Sequence, residues 1–556
     1  MITVAKFIAK YLINKKIKNV PIFQGGAIMN TINEIGKEKK LDYFCPYHEQ
    51  ALAMEVDSMS RIENKANVGF VTSGPGATNL ITGVCCSYYD SIPSVYFTGQ
   101  VGQIHITKKN TVRQRGFQET DVVSLFKPIT KYCTQLNDPS KIKYESDKAF
   151  YYAETGRPGP CLIDLPYNIQ ISKINPKKLL GYKPKKKFRK TNLTKQVKSL
   201  MRSLEKNKKI LIIAGGGIRL SNQINEFEKF IKKTKFPFVT TWAAQDICDH
   251  SNDNFYGSIG RHAYKSANKI AQSADLILTL GVRFSPKILT KKFGQNAKII
   301  SVDIDKKEMD HALFKIHQKI HCDLKNFFKE IDKYVYENNN GNNWNLFCNE
   351  IKNNFFYNNN VKYRNKNFVD PYNFIKIFSK EINNDSIIYT DAGCNLCWCM
   401  QAFEVKKGQR LISSWGNSPM GYSVAAGIGG YISSKTKPIY SLIGDGSLMI
   451  NVQELQFIKK NKVNLKIIVF DNKIYGNTQV GSIALFGNSS YGNDKKNGYH
   501  SPDVKKIAKS YEIEYLHAKN NNNLEMKIKN FLNFKNAAIL HLNISSKQTL
   551  LDFTDE

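Results

Sequence analysis

The sequence predicts an α/β protein built of three doubly wound parallel-sheet domains. Short apolar runs alternate along the chain with longer segments of helical spacing, the pattern of strand–helix–strand units. Many of those runs end in glycine-rich or acidic turns, at Gly25-Gly26, Gly74-Pro75-Gly76, Gly215-Gly216-Gly217 and Gly444-Asp445-Gly446, as strands do at the ligand-binding edge of a parallel sheet. A chain of 556 residues, 42% hydrophobic and 23% charged, has material for several cores.

Met1 to Val20 alternates apolar and Lys residues as an amphipathic helix does. Val20 to Gln24 reads as a strand entering Gly25-Gly26-Ala27-Ile28. Asp42 to Pro46 leads through Tyr47-His48-Glu49-Gln50 into an Ala- and Met-rich helix that ends near Arg61. Val68 to Thr72 enters the turn Ser73-Gly74-Pro75-Gly76-Ala77-Thr78-Asn79, and Ser94 to Thr98 enters Gly99-Gln100-Val101. The polar loop Gly116-Phe117-Gln118-Glu119-Thr120-Asp121 follows, then Gly156-Arg157-Pro158-Gly159-Pro160 before the run Leu162 to Pro166. A first domain is expected over residues 1–172, and the Pro- and Lys-rich residues 173–190 are expected to be a linker.

A second, Rossmann-like domain is expected over residues 191–340, with strands at Ile210–Ile213, Pro237–Thr241, Leu276–Leu280 and Ile299–Asp303. Its Gly215-Gly216-Gly217 turn reads either as a dinucleotide loop or as close packing of helix on strand. The Asn- and Lys-rich residues 341–367 are expected to be a connection. The third domain, 368–556, opens with a helix over Phe368–Glu381, and the strand Ile387–Thr390 runs into Asp391-Ala392-Gly393-Cys394-Asn395. Ile439–Ile443, Asn451–Lys460 and Leu465–Phe470 form a strand–helix–strand unit that brings Asp445 and Asn472 to one sheet edge. There they supply the hard oxygen ligands a magnesium-like ion prefers. The helix N-terminus after Gly446 offers N–H groups to a diphosphate. An ordinary βαβ unit with an acidic turn is the alternative.

The formal net charge is +34, but Lys is spread through runs such as Lys185–Lys187 and Lys459–Lys460 beside Asn tracts such as Asn338–Asn340. Solvated faces that attract anionic substrates account for it, and no nucleic-acid partner is expected. The 11 Cys make no disulfide framework in a chain this long, and Cys394, Cys397 and Cys399 have no second Cys/His pair at zinc spacing. No stretch is apolar for long enough to span a bilayer, and Met1–Val20 lacks a signal core, so a cytoplasmic protein without a membrane partner is expected.

The GDG turn, followed after one helix and one strand by Asn472, resembles the thiamine diphosphate (ThDP) motif of ThDP-dependent enzymes. The strings GGAI, HEQ, TSGPGATN and GFQETD, with Asp90-Ser91-Ile92-Pro93, stand in the order seen in acetolactate (acetohydroxyacid) synthases, and GRPGP, LIDLP and SWGNSPMG follow. The resemblance covers nearly the whole chain, which is identified as similar to the large subunit of that family. It implies a pyrimidine-binding domain, a central domain and a diphosphate domain. It also implies a homodimer or homotetramer whose active site is shared between subunits. The activity implied is decarboxylation of a 2-keto acid such as pyruvate and transfer of a two-carbon unit to a carbonyl acceptor.

The same resemblance assigns residues. Glu49 matches the acid that hydrogen-bonds the aminopyrimidine N1′ of ThDP and starts the proton relay to the thiazolium C2; a helix-start cap is its bland alternative. Gln118 and Phe117 match residues facing C2 and substrate, where an amide can donate to a developing oxyanion. Gly25, Gly26 and Ala27 match backbone donors beside them, and Gly74, Gly76 and Asn79 shape the turn beside the pyrimidine. His48 is read as structural. Asp445 and Asn472, with the backbone carbonyl of Ile474, match the Mg²⁺ ligands, and Gly444, Gly446, Ser447 and Asn395 fall among the cofactor contacts. Met420 matches the residue that supports the bent cofactor; a core-filling Met is the alternative. Gly216, Gly217, His262, Arg283 and Asp303 fall in the segments that line an FAD site in acetolactate synthases.

Departures bear on the acceptor and the flavin. Asp471 replaces the motif's first Asn, Tyr167 replaces a Lys near the substrate, and Cys394-Asn395 replaces Gln-His. Ser285-Pro286-Lys287 replaces Asp-Asp-Arg, and the substrate-selecting Trp after Asn472 aligns with Gln479-Val480-Gly481-Ser482. A 2-keto acid decarboxylase, a carboligase with a larger acceptor such as a keto-sugar, and a non-catalytic ThDP-binding subunit therefore stay open.

Overall fold

The computed structural model describes residues 1–107, 111–184, 192–286, 293–334, 341–355, 365–488, 491–548 and 550. The Lys185–Lys187 and Asn338–Asn340 runs and Lys287 lie outside the described residues. Three parallel sheets organise the chain. In the first, Asp42–Phe44 pairs with Asn19–Pro21, and the bridge Ile22–Phe70 joins that pair to Asn67–Val71. Ser94–Gln100, Pro160–Pro166 and Tyr132–Gln135 complete it, all parallel. The central sheet runs Phe255–Ser258, Phe238–Thr240, Ile210–Ala214, Leu276–Leu280, Lys298–Asp303, Gln318–His321. The third runs Arg410–Ile412, Ile387–Thr390, Ile439–Gly444, Leu465–Asp471, Ala538–Asn543, Glu514–Ala518. The strands at their middles are buried on both faces, as the neighbours Phe70 and Val71, Tyr96 and Phe97, and Ile468 and Val469 show. That burial is why they read as unbroken apolar runs.

Two expected boundaries shift. Lys173–Ile174 pairs antiparallel with Ile2–Thr3, so the first residues of the expected linker are stitched to the N-terminal domain. The expected connection begins with a helix, Gly341–Phe355, that belongs to the central core. Trp344 and Cys348 are buried there, and Trp344 Nε1 donates to the Ile210 carbonyl at 2.9 Å. An apolar stripe at helical spacing (Trp344, Cys348, Ile351) outweighs the surrounding Asn.

The domains are locked by buried polar groups. The helix Glu49–Glu63 lies along the helix Tyr422–Ser433 of the third domain, close enough that a side chain at Gly429 would strike the Glu55 carbonyl. Ser58 Oγ donates to the Ala426 carbonyl at 2.6 Å and shares a hydrogen with Tyr389 Oη at 2.7 Å. Arg61 bridges Asp57 (Nε–Oδ2, 2.7 Å) and Asp90 (Nη2–Oδ2, 2.7 Å). Tyr422 donates its hydroxyl to Asp57 at 2.6 Å, and Asp90 accepts the N–H groups of Trp415 and Gly416 at 2.7 and 2.8 Å. Asp246 of the central domain pairs with Arg219 and with Arg410 of the third, each at 2.9 Å. Removing one member of a buried ion pair costs about 3–5 kcal/mol because the partner stays buried without its counter-charge. Arg61→Met is therefore expected to lower unfolding free energy by about that amount in a urea titration, whereas Lys37→Met, at an exposed pair, shifts it by less than ~1 kcal/mol.

Candidate active site

One half of the site gathers at the carboxyl ends of the N-terminal sheet. Glu49 is the first residue of its helix, and His48 caps that helix through Nδ1, which accepts the Gln50 N–H at 3.0 Å. Glu49 is 5% exposed, and its Oε2 accepts from Asn79 Nδ2 at 2.9 Å. Its Oε1 faces Gly76, where an added Cβ would lie 3.7 Å away. Thr72, just past its strand, is the hub of the group. Its Oγ1 accepts the Ala27 N–H at 3.3 Å, and its side chain fills the space that a Cβ on Gly25 or Gly76 would need. Gln118 closes the group in a left-handed conformation, φ +62°. Its carbonyl would lie 2.9 Å from a Cβ on Gly74, itself at φ +57°. Gly26 opens onto space, and Phe117 is 86% exposed. The fold thus brings Gly25, Ala27, Glu49, Gly74, Gly76, Asn79 and Gln118 together; Thr72 opens the TSGPGATN string but carries no role of its own in the sequence reading.

The other half lies at the carboxyl ends of Ile387–Thr390, Ile439–Gly444 and Leu465–Asp471. Asp445 is buried, and burial with Asp471 nearby pushes its carboxyl up to about 6. Its Oδ2 accepts the Tyr499 hydroxyl at 2.7 Å. Asn472 Nδ2 and Cys394 Sγ each lie 2.8 Å from where a Cβ on Gly476 would stand, with the Ile474 side chain at 3.7 Å. Gly444 looks onto Asn395 Oδ1 and Ser447 Oγ at 3.9 and 4.0 Å from its Cβ position. Asn395 gives its amide N–H groups to the carbonyls of Asp391 and Leu442, both at 3.1 Å, so its side chain ties two strand ends together.

Asp391 and Asn451 were not singled out by sequence, yet they fix Met420. Asp391 accepts the N–H groups of Gly421 at 3.0 Å and Ser423 at 2.8 Å, and Asn451 Nδ2 donates to the Gly421 carbonyl at 3.0 Å. That grip holds Gly421 at φ +84° and leaves Met420 half-buried. Burial pushes Asp391 up to about 6 against the pull of those N–H donors. Asp471 is occupied elsewhere, accepting from His541 Nε2 at 2.9 Å and from Ser501 Oγ at 3.0 Å. Among the described residues no hydrogen bond or ion pair joins Glu49 to Asp445 or Asn472.

Gly216, Gly217, Arg283 and Asp303 line a cavity of about 470 Å³ at the carboxyl edge of the central sheet, together with Trp242 and Trp415. His262, grouped with them by sequence, is not among its lining residues. Gly215 and Gly217 also serve close packing, since a Cβ on either would meet the backbone of Gly281. Burial pushes Asp303 up to about 6.

Three parallel-sheet units, two of them carrying glycine and acid turns at their carboxyl edges, are the architecture of a thiamine pyrophosphate (ThDP) enzyme. The family models described as thiamine pyrophosphate enzyme N-terminal TPP binding domain, central domain and C-terminal TPP binding domain match residues 2–125, 197–331 and 391–542. The acetolactate synthase large subunit of Lactococcus lactis subsp. lactis (strain IL1403) is 30% identical over 89% of this chain and 84% of its own length. A probable acetolactate synthase large subunit of Methanococcus aeolicus is 30% identical over 98% of this chain and 92% of its own. That of Cyanidium caldarium is 29% identical over 94% and 89%. The chain belongs to the ThDP-dependent enzyme family and is acetolactate synthase large-subunit-like. ThDP is accordingly its cofactor. None of the 11 Cys is in a disulfide, and no helix among the described residues is long and apolar enough to cross a membrane.

Two buried carboxyls stand beside the first half-site. Glu55 is fully buried with neither oxygen hydrogen-bonded among the described residues, and Glu454 is fully buried with Oε2 in the same condition. Burial first, and the charge of Glu454 second, hold the Glu55 carboxyl well above its ordinary range. Because the folded carboxyl keeps its proton longer than the unfolded one, its contribution to stability is greatest below the unfolded value of about 4.3 and falls as pH rises toward the raised folded value. Glu55→Met removes that decline together with the unsatisfied group. It is expected to stabilise the fold by about 1–3 kcal/mol, with a gain that grows as denaturation is repeated at rising pH.

Proposed function

We propose that the protein is a ThDP- and Mg²⁺-dependent decarboxylating carboligase that takes a 2-keto acid such as pyruvate and transfers its two-carbon unit to a carbonyl acceptor. The observation that carries this reading is the convergence of Glu49, Asn79 and Gly76 with the Gly74–Gln118 contact at one sheet edge. When bound, ThDP supplies the electron sink for loss of carbon dioxide. Glu49, held by Asn79 and withdrawn from water, takes and returns a proton on the pyrimidine side. The Gln118 amide, on a loop pinned against Gly74, is placed to donate to oxygen charge that develops on the substrate. Asp445, the Asn472 amide oxygen and the Ile474 carbonyl would hold Mg²⁺; among the described residues no cluster of three or more His, Cys, Asp or Glu offers another metal site. A single carboxylate with neutral oxygens suits an ion that keeps phosphate and water ligands. Met420, on its clamped turn, supports the cofactor's bend.

The working unit is a homodimer or homotetramer in which Glu49 of one copy meets Asp445 and Asn472 of another. Supporting this are the exposed apolar side chains on both halves: Phe117 on one, and Val480, Ile483, Leu485 and Phe486 of the helix Gly476–Phe486 on the other. The central cavity is where FAD would bind: Gly216 and Gly217 would admit its diphosphate, Asp303 would hold its ribose hydroxyls, and Trp242 and Trp415 would offer ring faces.

Incubating the protein with ThDP, Mg²⁺ and pyruvate and identifying the products by mass spectrometry tests the reading. Acetolactate is the expected product. Acetaldehyde or acetoin alone would point to a decarboxylase or a larger acceptor, which half-exposed Tyr167 and the Trp-free helix Gly476–Phe486 leave room for. No loss of pyruvate would overturn it in favour of a non-catalytic subunit. Glu49→Gln is expected to lower kcat by about 10²–10⁴-fold while ThDP still binds; unchanged turnover would refute the role of Glu49.

A further inference from the structure

The loop that delivers Glu49 is held from the diphosphate domain. Residues Cys45 to His48 connect the short strand Asp42–Phe44 to the helix that starts at Glu49. The Tyr47 N–H is given to Glu454 Oε1 at 2.9 Å, across 407 positions of sequence, and the His48 N–H also points at that carboxyl. Glu454 sits on the helix Glu454–Lys460, soon after the metal-binding turn, and its neighbours brace the same contact. Phe457 packs its ring 5.8 Å from that of Phe44, and Asn451 Nδ2 reaches Met54 Sδ at 3.6 Å.

A buried carboxyl is a costly tether unless it is hydrogen-bonded. Here two consecutive N–H groups just before the helix Glu49–Glu63 point at it. Burial raises both carboxyls of the pair, and Glu454 Oε1 accepts the Tyr47 N–H whether or not the group carries its proton. Asn79 fixes the tip of the Glu49 side chain, while Glu454 fixes the backbone from which it springs.

We propose that Glu454 is a positioning residue for Glu49, a hydrogen-bonding clamp from the diphosphate domain that sets where the proton-relay acid stands against the pyrimidine ring. The inference rests on the reading of Glu49 given above. Its test is the rate at which the C2 proton of ThDP bound to the full-length Mg²⁺-loaded protein exchanges in D2O, followed by acid quench and NMR. Displacing a catalytic group by about 1 Å can cost 10²-fold. Glu454→Ala is expected to slow exchange and kcat together by about 10- to 100-fold, with ThDP affinity and the pyruvate KM nearly unchanged. Glu454→Gln, whose amide oxygen still accepts from Tyr47, is expected to recover most of the rate. Glu454→Asp, too short to reach, is expected to behave like Glu454→Ala, and serves if the alanine variant does not fold. Wild-type exchange in folded Glu454→Ala or Glu454→Asp, alongside a silent Glu49→Gln, would overturn the clamp alone. Normal exchange in Glu49→Gln would instead overturn the reading of Glu49, and the clamp with it. Equal losses in ThDP affinity and exchange across all three Glu454 variants would show a role in folding only.

Discussion

The arrangement depends on one buried guanidinium. Arg61 stands at the end of the helix that begins with Glu49, and it pairs with Asp57 one turn back and Asp90 on the next helix. Neither acid is spent by that pairing. Asp57 also takes the hydroxyls of Ser87 and Tyr422, and Asp90 takes two backbone N–H groups from the third domain. Arg410 then reaches from the third domain to the Arg61 carbonyl at 3.2 Å and to Asp246 of the central one. A hydrophobic interface would hold the domains together but would let them slide. Directional bonds from one cation, through two acids, to a hydroxyl and two amides fix the angle at which the Glu49 helix lies on its neighbour.

That angle matters because the site residues sit on turns, not on the strands themselves. Each turn is held by contacts that tolerate almost no side chain: Gly74 against Gln118, Gly25 and Gly76 against Thr72, Gly421 between Asp391 and Asn451. Gln118 and Gly74 both occupy left-handed backbone, each strained or glycine-dependent, and each presses on the other. Mutually braced turns at rigid sheet ends hold the loop-borne groups still, while Glu49 takes its place from the first turn of its helix.

Much of this was legible in the sequence, for physical reasons. Strands buried on both faces read as apolar runs, and the glycines were visible because close backbone approach admits nothing else. What escaped notice were residues whose role comes from position alone. Thr72, Asp391 and Asn451 are ordinary types in ordinary turns; only folding shows that they grip Ala27, Gly421 and Ser423. The short strand Tyr132–Gln135 is half-buried and lacks a strong apolar signature. Trp344 was hidden by its Asn-rich surroundings. The place of Asn395 is legible, but nothing in the sequence says that its amide faces the carbonyls of Asp391 and Leu442.

The acids at the sheet edges follow a common logic. Asp303, Asp391 and Asp445 each stand at or just beyond the carboxyl end of a strand, and burial lifts each to about 6. Their environments differ in what offsets the lift. Asp391 receives backbone N–H groups and is a structural clamp, satisfied within the chain. Asp445 receives the Tyr499 hydroxyl beside the neighbouring Asp471, and Asp303 the Asp305 N–H with the Arg157 guanidinium nearby. Carboxyls raised by burial in a cleft mark functional sites more often than structural ones. Asp445 and Asp303 are the acids assigned to the proposed Mg²⁺ and ribose contacts, and Asp391 holds the turn that carries Met420. A divalent ion at Asp445, as proposed, would relieve both burial and repulsion from Asp471 at once, so its binding would raise the stability of the third domain.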